Sequence, residues 1–155
     1  MYYEFEIRSK LPSLNEYVEQ CRRNPYAGNK FKIETEEVVG LYIAVARLQG
    51  YLPKGVIEAP LEVEIEWYER TKRRDCDNVL SGVKFVLDAL QKYGVIKNDN
   101  RKCIPFVRNS GVYESEQDKI IIRLKEIISS GNDTKINNRC RNKSGKRNAL
   151  DSVGE

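Results

Sequence analysis

The sequence predicts an α+β fold, a small mixed β-sheet packed with helices in a single domain. Two observations lead there. Tyr3, Phe5 and Ile7, and again Leu61, Val63, Ile65 and Trp67, alternate with charged residues, the period of strands with one buried face. Elsewhere the apolar spacing turns helical, and the resulting order, β-α-α-β-α-β-β, does not match repeating βαβ units. At 155 residues the chain has the length of one ordinary domain with a tail.

The elements follow in order. Tyr3 to Ile7 is the first strand, and Leu11-Pro12-Ser13 breaks it. Ser13 or Asn15 is placed to cap a short helix reaching about Arg23. Asn24 to Asn29, with Pro25 and Gly28, reads as a loop. A longer helix is expected from about Thr35 to Gln49 on Val38, Leu41, Ile43, Val45 and Leu48, weakened by Gly40. Leu61 to Tyr68 is the clearest strand. A charged turn, Glu69 to Asn78, leads into a helix that runs to about Tyr93 and stops at Gly94. Its buried stripe is Val79, Val83, Val86, Leu87 and Leu90. Ile104 to Val107 and Ile120 to Leu124 are the last two strands. The domain is expected to span 1–128. Residues 129–155 are expected to be a disordered basic tail, because they are rich in Asn, Ser and Gly and poor in large apolar residues.

Composition excludes several chemistries. The chain has no histidine, so it contains no Ser-His-Asp triad, no Cys-His pair and no histidine-bearing zinc site. Its four cysteines form no Cys-x-x-Cys pair. There is no long apolar run and no signal-peptide pattern at the N-terminus, so a cytoplasmic protein with no membrane partner is expected. The net charge of +4 resides mainly in the tail, where residues 131–155 hold six basic and three acidic residues. Such a tail suits electrostatic attraction to nucleic acid as well as it suits simple solubility.

The remaining candidates for chemistry are carboxylates. Asp75 and Asp77 flank Cys76 where the charged turn meets the helix, and Asp99 follows the helix stop. An Asp at a helix start ordinarily caps backbone N–H groups, which accounts for Asp77 or Asn78 but not for Asp75. In extended backbone, side chains at i and i+2 point the same way and two carboxylates there repel. Arg73 and Arg74 can supply the compensating charge, and so can Mg²⁺. Asp77, Ser81, Lys84 and Asp88 share the polar face of the helix, where a Lys84–Asp88 ion pair is the plain reading. Asp88 lies about 16 Å along the axis from Asp77, too far to share one ion. Asn98-Asp99-Asn100 is a common turn sequence, but the chain after the helix is expected to fold back toward the strand end that carries Asp75. Cys76 is expected to point away from the two aspartates as a small core residue.

In order along the chain, Arg74-Asp75-Cys76-Asp77-Asn78, Lys84-Phe85-Val86-Leu87-Asp88-Ala89-Leu90 and Gly94-Val95-Ile96-Lys97-Asn98-Asp99 resemble the RusA family of Holliday-junction resolvases, common in phages and prophages. Leu11-Pro12-Ser13-Leu14-Asn15 is similar to that family's segment after its first strand, and the resemblance covers roughly residues 3–126. It implies Mg²⁺, with Mn²⁺ as the alternative, bound by Asp75, Asp77 and Asp99. It implies DNA recombination and repair by paired cuts in a four-way junction, made by a homodimer. Family members carry a functional helix lysine, often four residues after the second aspartate. Ser81 stands there in this chain, and Lys84, the nearest lysine on that face, is the candidate to replace that lysine as a catalytic residue beside Asp75, Asp77 and Asp99. Asp88 is expected to structure the helix or the dimer instead.

Physical chemistry agrees with that implication. Hard carboxylate ligands suit Mg²⁺, which needs no histidine to promote phosphodiester hydrolysis. Lys72, Arg73 and Arg74, with Lys97 and Arg101 near Asp99, are expected on phosphate oxygens, and Asn15 joins them through its motif. Two other readings stand beside this one. The scaffold can bind branched DNA without cutting it, or it can be a nuclease for other branched or single-stranded DNA.

Overall fold

A computed structural model describes residues 1–128. The elements are β1 (Tyr2–Ile7), α1 (Leu14–Arg23), α2 (Pro25–Leu48), β2 (Leu61–Glu69), α3 (Cys76–Leu80), α4 (Val83–Lys92), β3 (Phe106–Glu114) and β4 (Lys119–Glu126). The four strands form one mixed sheet in the order β1-β4-β2-β3. β4 runs antiparallel to β1 and β2, and β2 and β3 run parallel. The α+β expectation is met. The tail expectation, 129–155, lies outside the described residues.

The helices cover one face of the sheet. Phe5, Ile7, Val63, Ile65, Ile122 and Leu124 meet Val39, Ile43, Val86, Ala89 and Leu90 there in one apolar core. The opposite face is polar and carries Glu4, Glu62, Glu64, Glu66 and Arg123. β2 shows the strict alternation its sequence predicts, with every second residue from Leu61 to Glu69 buried.

Ser13 caps α1 with a full capping box. Its Oγ accepts from the Glu16 N–H, and Glu16 accepts from the Ser13 N–H at 2.6 Å. α4 ends as expected, with Gly94 at φ +65° and the Val95 N–H donating back to the Leu90 carbonyl at 2.8 Å.

Four expectations need correction. Residues 24–29 are not a loop: Asn24 is the N-cap of α2, its side chain accepts from the Ala27 N–H, and Pro25 occupies the first turn. Proline there forfeits no hydrogen bond, so the Asn-Pro pair starts a helix rather than ending one. The helix expected from 78 to 93 is two helices with a break at Ser81–Gly82. Gly82 sits on Trp67, and a Cβ at that position would lie 2.6 Å from the indole. β3 begins at Phe106 and extends to Glu114, with Ile104 buried ahead of it. Cys76 is exposed, as the first residue of α3, and is not a core residue.

Candidate metal and nucleic-acid site

α3 is held at both ends, by Asn109 and the core at its C-terminal end and by Arg74 ahead of its start. Trp67 donates its Nε1–H to Asn109 Oδ1 at 2.6 Å, and Asn109 Nδ2 donates to the Leu80 carbonyl at 2.8 Å. Val79 is buried in the core. Before the helix, Arg74 forms an ion pair with buried Glu69 and donates to the Leu11 carbonyl at 2.8 Å. This clamp joins the end of β2 to the Leu11–Asn15 segment, so the structure brings together two of the motifs that the sequence singles out.

Arg74 is therefore not a free phosphate contact. Its guanidinium is largely buried and holds the fold together. Glu69, its partner, is absent from the sequence-derived site. It follows the apolar parity of Leu61, Val63, Ile65 and Trp67, and an acid on the buried face requires a cation.

Asp75 and Asp77 lie just past this clamp, and both are exposed. Asp75 is the N-cap residue of α3, at φ −67° and ψ 151°, yet its side chain makes no capping hydrogen bond. Asp77 is in the first helical turn, so the pair is not carried on one extended segment as expected. Among the described residues neither carboxylate has an ion-pair or hydrogen-bond partner. An aspartate at an N-cap that does not cap is free for an external cation.

Asp99 is also exposed and unpaired among the described residues, but it stands elsewhere. The Cys103 carbonyl accepts from the Leu61 N–H at 2.8 Å, and Cys103 donates to Asn100 at 3.0 Å. Asp99 thus belongs to the N-terminal end of β2, while Asp75 follows its C-terminal end. β2 has nine residues, so the two ends are about 26 Å apart. The parallel pairing of β2 with β3 forces this, because α3 and α4 must carry the chain back to the start of β2. The expected fold-back of Asp99 toward Asp75 does not occur within one chain. Among the described residues no three Asp, Glu or Cys side chains converge on one metal position.

The remaining residues separate by their partners. Arg73 and Arg101 are exposed with no ion-pair partner among the described residues. Lys72 pairs with Glu114 at 2.8 Å, and Lys97 lies 3.9 Å from Glu58, both pairs open to solvent. Asn15 is exposed in the first turn of α1. Lys84 lies 3.3 Å from Asp88, which also meets Lys32 of α2 at 2.9 Å. Both residues belong to an ion network between α2 and α4 that continues through Glu36 to Lys92. Asp88 thus serves the helix packing, and nothing around Lys84 marks it for catalysis.

No protein-family model matches this chain, and no curated protein does. No helix among the described residues is long and apolar enough to cross a membrane.

Proposed function

We propose that this protein is a Mg²⁺-dependent endonuclease that cuts branched DNA, with the four-way junction as its substrate, and that it works as a homodimer. The observation that carries the reading is the state of Asp75 and Asp77. They are exposed carboxylates at the start of a helix held at both ends, and among the described residues no cation serves either of them. The ordered RusA-like motifs support the choice of a junction as substrate.

Mg²⁺ is commonly held by one or two carboxylates together with water and phosphate oxygens. Asp75 and Asp77 fit that role, and Mn²⁺ fits the same oxygens. When bound, the ion would polarise the phosphodiester and lower the pKa of a water. Arg73 and Lys72 flank the pair and would orient a phosphate. Asn15, held close by the Arg74–Leu11 bond, would contact the same strand.

Asp99 of the same chain is at the wrong end of β2 to join this pair. A second copy related by a twofold axis can present its Asp99 to the first copy's Asp75 and Asp77, and the reverse. Lys97 and Arg101 would then reach the DNA held by the other copy. The dimer is in this reading a requirement of the site as well as of the substrate's symmetry.

The test is nicking of a labelled four-way junction with Mg²⁺ or with EDTA. Wild type should make paired symmetric nicks with Mg²⁺ only. Asp75→Asn and Asp99→Asn homodimers should bind the junction and leave it uncut. Refolding the two variants together creates heterodimers in which one of the two shared sites is intact, and single nicks should return. A site within one chain gives no recovery. Junction binding by wild type without nicks in Mg²⁺ or Mn²⁺ would favour the non-catalytic branched-DNA-binding protein. Equal nicking of forks or single strands would favour a nuclease of broader choice.

A further inference from the structure

We infer that Tyr113, backed by Tyr68, is a stacking platform for one unpaired base of the bound DNA, an inference that rests on the DNA-directed reading above. Tyr68 of β2 is directly opposite Lys119 of β4 on one side and Tyr113 of β3 on the other. The Lys119 ammonium lies 4.9 Å from the centre of the Tyr68 ring. The two tyrosine rings are stacked, with centroids 5.3 Å apart and planes 30° from parallel. The row is therefore cation, ring, ring. It ends at Tyr113 because β3 is the edge of the sheet. Tyr113 is 45% exposed, and no further ring or cation covers it among the described residues.

Cross-strand pairs of this kind also stabilise sheets, which explains Tyr68 between its two neighbours. It does not explain a tyrosine whose free side faces solvent and whose hydroxyl makes only a 3.4 Å contact with the Ser110 carbonyl. A flat ring already polarised by a stacked neighbour and a cation offers a base the same surface that single-strand-binding proteins use.

The location links the platform to the carboxylates. Tyr68 and Tyr113 are at the C-terminal end of β2, the end from which the chain leaves toward Asp75. Lys72 reaches Glu114, next to Tyr113, so the 70–75 segment runs beside the end of β3. Arg70 and Arg73 are exposed on that segment. Two of the nearby acids are already engaged, Glu114 by Lys72 and Asp118 by the Arg70 N–H at 2.8 Å, while Glu116 in the β3–β4 turn is exposed. The platform is on the open face of the sheet and α3 is on the covered face. A strand crossing the sheet end between them would put an unstacked base on Tyr113 and its phosphates among the cations before Asp75. Branched DNA differs from duplex in having bases available to leave the stack, so the platform would favour the branch.

The test uses the full chain in EDTA, so that no strand is cut. Binding to a four-way junction, to a single-stranded oligonucleotide and to duplex is read by fluorescence anisotropy, and stacking is read by quenching of 2-aminopurine at the branch. Tyr113→Ala should weaken junction and single-strand binding about 10-fold, leave duplex binding unchanged and lose the quenching. Tyr113→Phe should behave as wild type. Tyr113→Leu fills the space without a flat aromatic ring and should resemble the alanine variant, which separates stacking from any loss of fold. Wild-type affinity and quenching in the leucine variant would overturn the platform while leaving the proposed function intact. If wild type binds none of the three DNAs, the proposed function fails and the platform with it.

Discussion

The open face of the sheet and the start of α3 both present carboxylates to solvent, and they treat them in opposite ways. On the sheet, Arg123 is bonded to Glu4 at 2.7 Å and to Glu66 at 2.8 Å, and it lies 3.9 Å from Glu64. Arg108 serves Glu62, and Arg8 serves Glu6. Every glutamate of β1 and β2 on that face has a cation. At the start of α3 and at the 98–100 turn, three aspartates have none among the described residues. On the sheet each of these glutamates has an arginine partner, with Arg123 shared among three of them. The three aspartates have no such partner, which is the state the proposed Mg²⁺ site requires.

The comparison can be broken where the two regions meet, at the clamp. Glu69 is buried and closes its balance through Arg74. Glu69→Ala leaves a largely buried guanidinium without its partner and should cost about 3 kcal/mol in urea unfolding. Asp77→Ala, a few residues away, should change stability by no more than about 0.5 kcal/mol. Equal losses from the two would erase the distinction.

On the sheet face, Arg123→Met should cost about 1 kcal/mol at neutral pH, because the pairs are partly exposed and screened. The same substitution sharpens the comparison through pH. Arg123 holds the Glu66 carboxyl below the ordinary carboxylate range, and it holds Glu4 there with help from the Tyr2 hydroxyl. A depressed folded pKa gives stability that is fully present above the unfolded value, about 4.3, and is lost as pH falls through the folded value. Wild type should therefore lose stability on acidification below that value, and Arg123→Met should lose less over the same range. The α1 cap offers a comparable or smaller loss than Arg123→Met. Ser13→Ala should cost about 1 kcal/mol or less in thermal unfolding. Glu16, whose carboxyl is lowered chiefly by its bond from the Ser13 N–H, should add a minor part of the same acid loss.

Much of this was legible in the residues. The alternation from Leu61 to Trp67 located the central strand, and Gly94 located the end of α4, because both are local signals. Asn24-Pro25 was misread because the pair ends one helix as readily as it starts another, and here Asn24 caps α2 while Gly28 packs against Cys21 of α1. The Ser81-Gly82 pair was a local sign of the break, but its packing reason, Trp67 fifteen residues away, is not local. For the site, the spacing singled out Asp75 and Asp77, and both are exposed without a partner among the described residues. Glu69 could have been found by its parity on β2. The separation of Asp99 could not, since it follows from the parallel pairing of β2 with β3, which no local pattern encodes. The order of motifs along the chain had suggested one compact site, and the topology divides it between two ends of the sheet.

The central claim is that Asp75 and Asp77 are kept for a cation and do nothing for the fold. The most direct measurement is the thermal midpoint of wild type, Asp75→Asn and Asp77→Asn, without metal and over a titration of Mg²⁺ and Mn²⁺. Without metal, both variants should melt at or slightly above wild type, since a repulsive charge has been removed. With metal at ten times its dissociation constant, wild type should rise by about 4 °C and neither variant should move. A loss of metal-free stability in the variants, together with an undiminished metal shift, would contradict the claim and make the two aspartates structural.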